Sequence, residues 1–163
     1  MAKRVAYSAI MTSLAMIFSY IEVLIPFHFG IPGIKLGLAN LVVVIALYIL
    51  KPTQALLISV ARIVLVSFLF GSMSSMLYSL AGGILSFLVM LLLKKCGGFS
   101  MMGISIAGGV SHNIGQLLVA AMVVESMNIF YYMPVLLVAG LITGMLIGIV
   151  AKSVCRHIKK IVE

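Results

Sequence analysis

The sequence contains no aspartate, and its only acidic residues are Glu22, Glu125 and Glu163. It therefore lacks the Asp-rich sites that hold magnesium and diphosphate, the Walker B carboxylate and the EF-hand calcium loop. A GxxxxGK(S/T) phosphate loop is also absent, which excludes ATP hydrolysis by a P-loop. The two cysteines, Cys96 and Cys155, have neither the spacing of metal ligands nor that of a disulfide framework. We expect no metal site and no cofactor.

Charged residues are also scarce. They make up 9% of the 163 residues, whereas 64% are hydrophobic and the mean hydropathy is +1.32. Soluble domains contain about 25% charged residues, so this composition indicates an integral membrane protein. The net charge is +8, but the cations are scattered between long apolar runs instead of forming the basic face of a nucleic-acid binder. We expect contact with membrane lipid and not with nucleic acid.

Six apolar segments can cross, or nearly cross, a hydrocarbon core about 30 Å thick, which needs roughly 20 helical residues. They predict an all-α bundle of six transmembrane helices in a single membrane domain, residues 1–163, with helices at about 5–25, 36–50, 53–70, 76–93, 101–124 and 134–151. A basic cytoplasmic tail, residues 152–163, follows. The first segment is not a cleavable signal peptide, because its apolar stretch is too long and no A-x-A site follows it.

The cations predict the orientation of the bundle. If the N-terminus is cytoplasmic and the helices alternate in direction, nine of the eleven Lys and Arg residues fall on the cytoplasmic side, namely Lys3, Arg4, Lys51, Lys94, Lys95, Lys152, Arg156, Lys159 and Lys160. Cytoplasmic loops of membrane proteins carry such an excess of Lys and Arg. We therefore expect both termini to be cytoplasmic.

Arg62 lies nine residues into the third segment, about 13 Å deep at 1.5 Å per residue. An arginine near the bilayer centre costs about 2.5–3.5 kcal/mol on insertion scales, so such residues face a bundle interior or a wet cavity. It is either a structural arginine satisfied by neighbouring helices, or the ligand of an anionic group, to which its guanidinium presents a planar fork of donors. No acidic residue is expected at that depth, which favours a bound anion.

The fifth segment carries polar side chains at about mid-depth. Spacings of three and four residues place His112, Asn113 and Gln116 on one helix face. Such groups either hold helices together or line a pocket, and three of them on one face favour the pocket. We predict a substrate-binding cavity that opens outward, lined by Arg62, Asn40, His112, Asn113 and Gln116, with Lys35 of the first loop at its rim or snorkelling to the headgroups.

Small residues mark two helix faces. The sixth segment contains a double GxxxG ridge formed by Gly140, Gly144 and Gly148, a pattern typical of close helix contacts. The first helix carries small residues at similar spacings, at Ala2, Ala6, Ala9 and Ser13. Internal packing explains either face. A partner subunit is the alternative, favoured for the first helix because its small residues cover more than one face.

Several motifs together resemble a bacterial membrane family. They are the stretch from Pro32 to Asn40, the Arg62 helix ending in Phe70-Gly71, the Tyr78–Gly83 start of the fourth helix and the Ser111–Gln116 face. Across essentially the whole chain the sequence resembles the "heptaprenyl diphosphate synthase component I" family, also called the Gx transporter family. That family is in turn similar to the substrate-binding S components of energy-coupling factor (ECF) transporters.

The resemblance to S components implies six helices, both termini inside a bacterial cytoplasmic membrane, and a pocket toward the outer face. It also implies partners: separate ATPases and a membrane coupling subunit that docks on an Ala-xxx-Ala pattern of the first helix. Ala2 and Ala6 match that spacing, and Ala9 and Ser13 continue it imperfectly.

The two family names imply different functions. The transporter name implies a non-enzymatic subunit that captures a small polar or anionic molecule. The synthase name implies a membrane accessory to a soluble prenyl diphosphate synthase subunit or to quinone biosynthesis. This accessory would be non-catalytic, because a chain without aspartate cannot hold the diphosphate through magnesium and paired aspartates. A purely structural helper, in which Arg62, His112 and Gln116 bond one another without a void, is a third hypothesis. A self-contained carrier is disfavoured, because neither an inverted repeat nor an intramembrane acid is evident.

Overall fold

A computed structural model describes residues 2–24 and 38–162. This part of the chain is all-helical, which confirms the predicted fold class. It comprises six α-helices and one 3-10 helix (Met127–Tyr132), the α-helices being α1 (Ala2–Leu24), α2 (Leu38–Ile49), α3 (Pro52–Phe70), α4 (Met73–Cys96), α5 (Met101–Val124) and α6 (Met133–Val162). The first loop with Lys35 lies outside the described residues, as do the side chains of residues 2–4, 23 and 159–162.

Five of the described helices, α1 and α3 to α6, are long and apolar enough to cross a membrane. The exception is α2, whose 12 residues span about 18 Å at 1.5 Å per residue, well short of a hydrocarbon core about 30 Å thick. The chain therefore forms a helical membrane bundle with one short member.

Side-chain caps set where the helices begin. The Ser72 hydroxyl accepts a hydrogen bond from the Ser75 N–H at 3.2 Å, and the Ser75 hydroxyl oxygen accepts one from the Ser72 N–H at 3.1 Å. This reciprocal pair starts α4 at Met73, three residues before the predicted start at Met76. Pro52 is the first residue of α3, where a missing N–H costs no helical hydrogen bond.

The sixth helix continues beyond its apolar run. We predicted a helix to Ala151 followed by a tail, but α6 continues to Val162. The charged residues after Ala151 end the apolar stretch but not the helix. Lys and Arg are good helix formers, and the sequence after Gly148 contains neither glycine nor proline. At 30 residues, α6 is about 45 Å long at 1.5 Å per residue.

The long helices surround α2. In the described residues, α1 packs on α3, α3 on α4, α4 on α5 and α5 on α6, while α2 packs against α1, α3 and α6. All six residues from Val42 to Leu47 are buried, as expected for a helix that is apolar all round and enclosed by others. Residues 43–47 belong to the hydrophobic core, together with Phe87, Ile104 and Ile147.

The GxxxG ridge of α6 faces α5 within the same chain. A β-carbon on Gly144 would lie 2.7 Å from Ile106 Cα, and one on Gly148 would lie 2.8 Å from Met102 Cα. Gly140 similarly meets the backbone of Gly109. The two backbones therefore touch along about two turns, and this ridge is occupied by an internal contact.

We expect Gly144→Ala to destabilise the bundle by roughly 2 kcal/mol, because the added methyl group forces α5 and α6 apart. The measurement is thermal unfolding of the purified protein in detergent. Gly103→Ala, on α5, is the matched control: its β-carbon would meet nothing closer than Ser100 Oγ at 3.5 Å. Equal stability of the two variants would contradict the close contact at Gly144.

Candidate ligand-binding cavity

A cavity with several polar side chains in its wall lies within the described part of the bundle. Its volume is about 120 Å³, and its polar lining is contributed by α1 to α5: Ser19, Glu22, Asn40, Arg62, Ser67, Ser75, Ser79, His112 and Gln116. We call it the Arg62 chamber. It lies toward the end of the bundle at which α1 and α3 end and α2 and α4 begin, opposite the two chain termini.

Arg62 is held loosely in this chamber. Its Nη1 donates to Ser19 Oγ at 3.4 Å and its Nη2 to Asn40 Oδ1 at 3.5 Å. Both distances are long for a hydrogen bond, since N–H···O bonds are most often about 2.9–3.0 Å. Its Nε is buried and has no hydrogen-bond partner among the described residues. The guanidinium therefore keeps donor capacity that its neighbours in the described part of the chain do not use.

Glu22 corrects one of our expectations. We reasoned that no acidic residue lies at the depth of Arg62, but Glu22 lines the same chamber and its charge acts on the guanidinium. Glu22 also accepts a hydrogen bond from the Leu38 N–H at 2.8 Å, which caps the first turn of α2. This hydrogen bond holds the end of α1 beside the first described turn of α2. The chamber thus contains charges of both signs.

Only two of the three predicted polar residues of α5 line the Arg62 chamber. His112 and Gln116 line the Arg62 chamber, and they pack directly against α4, where a β-carbon on Gly82 would lie 2.7 Å from the His112 carbonyl oxygen and 2.8 Å from Gln116 Cγ. Asn113 does not line that chamber. Its amide nitrogen donates to the Leu136 carbonyl of α6 at 2.7 Å, so it ties α5 to α6.

A second cavity, of about 40 Å³, lies deeper between α2, α4, α5 and α6. We call it the Ser105 chamber; its polar lining consists of Asn40, Ser86, Ser105, His112, Asn113, Gln116 and Thr143. Three of these residues, Asn40, His112 and Gln116, also line the Arg62 chamber. These three side chains therefore lie between the two chambers.

We expected no role for Ser19, Glu22, Ser86 or Ser105, although all four line the chambers. Serines are common in membrane helices and carry no signal that separates a cavity wall from a helix contact. Glu22 could have been identified from its acidity alone, because an acid beside an apolar helix end is rare.

Small residues of α1 lie on its exposed surface. Ala6, Ala9 and Ser13 are all exposed in the described bundle, while the side chain of Ala2 is not described. Among the five long helices, α1 has the lowest fraction of buried residues, 11% against 22–28%. This face is therefore free of contacts with the described part of the chain.

The fold and the polar interior define a multi-pass helical membrane protein, and a comparison with protein families gives its place among them. The family model "Heptaprenyl diphosphate synthase component I" matches residues 11–154. The chain belongs to this family, as its motifs indicated. Neither a curated protein nor a solved structure matches the chain.

Proposed function

We propose that the chain is the substrate-binding membrane subunit of a transporter, similar to an ECF S component. It captures a small polar molecule with an anionic group, and separate ATPase and coupling subunits supply the energy. The observation that carries this proposal is Arg62, whose buried Nε has no hydrogen-bond partner among the described residues and lies beside a cavity of about 120 Å³. The cavity also argues against the hypothesis of a purely structural helper, because that hypothesis requires Arg62, His112 and Gln116 to bond one another without a void.

Charge distribution supports capture from the outer side. The Arg62 chamber lies at the end of the bundle opposite the termini, whereas nine of the eleven cations belong to the end with the termini. The positive-inside rule then places the termini in the cytoplasm and the chamber toward the outside. Lys35, in the first loop on the outer side, would serve at the rim.

Each chamber residue has a distinct proposed role. Arg62 binds the anionic group through its unused donors, while Asn40 and Gln116 orient the ligand by hydrogen bonds that are stronger in a low-dielectric interior. Glu22 balances the charge of Arg62 when the site is empty. The chamber is smaller than the roughly 300–1,000 Å³ of typical small-molecule sites, so the ligand is compact or the helices separate to admit it.

The exposed face of α1 is the proposed docking site for the coupling subunit. Ala6, Ala9 and Ser13 are exposed there, and small side chains allow a partner helix to approach closely. Ala2 extends the same spacing toward the helix start.

The second candidate function is a non-catalytic accessory to a soluble prenyl diphosphate synthase subunit. The family description favours it. The basic end of α6 also supports it, since a helix of about 45 Å extends beyond a hydrocarbon core of about 30 Å and exposes Lys152 and Arg156. The chain would then supply the membrane anchor, and the partner the aspartates.

Copurification separates the two functions. We expect the chain, extracted in mild detergent from its native membrane, to retain ATPase and coupling subunits together with a small molecule, all identified by mass spectrometry. Substituting Ala6 and Ala9 with leucine should release the coupling subunit, whereas leucine at Ser153, which is exposed at the cytoplasmic end of α6, serves as the control. Recovery of a prenyl synthase subunit without ATPases would overturn the transport proposal in favour of the accessory role.

A further inference from the structure

The Ser105 chamber differs chemically from the Arg62 chamber. Among the described residues, its lining contains no lysine, arginine or acidic side chain, and its polar groups are hydroxyls, amides and the His112 ring. The volume of about 40 Å³ exceeds the roughly 10–15 Å³ that one water molecule requires. The chamber therefore accommodates a small uncharged group of a few non-hydrogen atoms.

Ser105 supplies an unused hydrogen-bonding group to this space. It is 3% exposed, and its hydroxyl is buried without a hydrogen-bond partner among the described residues. Burying a hydroxyl without a partner is destabilising, so most buried hydroxyls are paired. By contrast Ser111, on the same helix, donates its hydroxyl to the Ala107 carbonyl at 2.7 Å. The geometry of the chamber leaves Ser105 available to a bound group.

A second serine lies across from α5. Ser86 of α4 is 4% exposed and lines the same chamber. A β-carbon on Gly108 would come within 3.3 Å of Ser86 Oγ and within 2.6 Å of Met90 Sδ. Gly108 therefore lets the Ser86 and Met90 side chains of α4 pack against the α5 backbone at the chamber wall.

We infer that the Ser105 chamber is the subsite for an uncharged hydrogen-bonding end of the ligand whose anionic end binds Arg62. The inference rests on the proposed capture function and narrows its substrate class. The ligand is an elongated molecule with a carboxylate or phosphate at one end and a hydroxyl, carbonyl or amide at the other. Its middle lies at Asn40, His112 and Gln116, which line both chambers, and these side chains move apart to admit it.

Matched pairs of short acids test this assignment. The probes are 4-hydroxybutyrate, 5-hydroxypentanoate and 6-hydroxyhexanoate, each compared with the acid of equal length that ends in a methyl group. Binding to the full chain in lipid nanodiscs is measured by calorimetry. We expect one chain length at which the hydroxy acid binds about tenfold more tightly than its methyl counterpart, because it pairs the Ser105 hydroxyl.

Three serine variants test which hydroxyl group causes the preference for the hydroxy acid. Ser105→Ala should abolish the tenfold preference and leave the affinity for the methyl-ended acid unchanged, and Ser86→Ala should reduce the preference. Ser111→Ala, a buried serine of α5 outside the chamber, should leave it intact. Binding that depends on Arg62 but shows no hydroxyl preference at any length, or a preference that survives Ser105→Ala, would overturn the subsite and leave the capture proposal standing. No binding by any acid of the series would overturn both.

Discussion

Arg62→Ala should lower the affinity for an anionic ligand at least about a hundredfold while the six-helix bundle still inserts into the membrane. Each hydrogen bond to a charged group contributes about 1.5–3 kcal/mol, and a factor of ten corresponds to about 1.4 kcal/mol. Losing two such bonds in a chamber of low dielectric constant is therefore sufficient. The measurement is calorimetric binding of the acids described above to the protein in nanodiscs.

Conservative variants separate charge from geometry. Arg62→Lys keeps the positive charge but loses the planar fork of donors, so its affinity should fall between those of the parent and Arg62→Ala. Lys95→Ala, an exposed cation at the opposite end of the bundle, should bind normally. Unchanged binding by Arg62→Ala would show that the guanidinium has only a structural role.

The polar residues found by sequence reasoning share one property: their spacing or chemistry is conspicuous in an apolar chain. His112 and Gln116 are four residues apart and so lie on one face of α5, and an arginine inside an apolar run must face the interior. The structure brings all three to one chamber. Asn113 points toward α6 instead, which helical periodicity could not show. Successive residues are only about 100° apart on a helix with 3.6 residues per turn, so a residue next to His112 can face either the chamber or the neighbouring helix.

The misplacement of Glu22 has a geometric cause. Counting residues to estimate depth assumes straight helices that each cross the whole bilayer, but α2 has only 12 residues. The first described residue of α2 lies next to the end of α1, where Glu22 accepts a hydrogen bond from the Leu38 N–H, and the Arg62 side chain lines the same chamber as Glu22. The extension of α6 to Val162 was missed for a related reason, because hydropathy reports where a membrane span ends and not where a helix ends.

The short helix α2 depends on charged side chains from its neighbours. Lys94 of α4 donates to the Leu47 carbonyl at 2.6 Å and lies 4.8 Å from the centre of the Tyr48 ring. The Lys51 N–H, which would bond that carbonyl if the helix continued, donates to Gln54 Oε1 at 3.3 Å instead. A cation thus sits at the negative end of α2 and Glu22 at its positive end, the arrangement that the helix dipole favours.

Lys94→Met should accordingly destabilise the bundle by about 3 kcal/mol, through loss of a hydrogen bond to a charged group and of a cation–π contact. Thermal unfolding in detergent measures the loss, and hydrogen exchange should show earlier opening of the last turn of α2. Lys95→Met is the matched control, since Lys95 is exposed on the same turn. Equal stability of the two variants would contradict a specific role for Lys94.

The two ends of α2 should differ in their effect on binding. Lys94 lies at the opposite end of α2 from Asn40, so Lys94→Met should lower stability without changing the affinity for an anion. Glu22→Gln keeps an oxygen acceptor for the Leu38 N–H but removes the negative charge beside Arg62, so it should raise anion affinity several-fold. An unchanged affinity in Glu22→Gln would mean that Glu22 acts only as a cap, because a carboxylate competing for Arg62 must weaken the binding of any other anion.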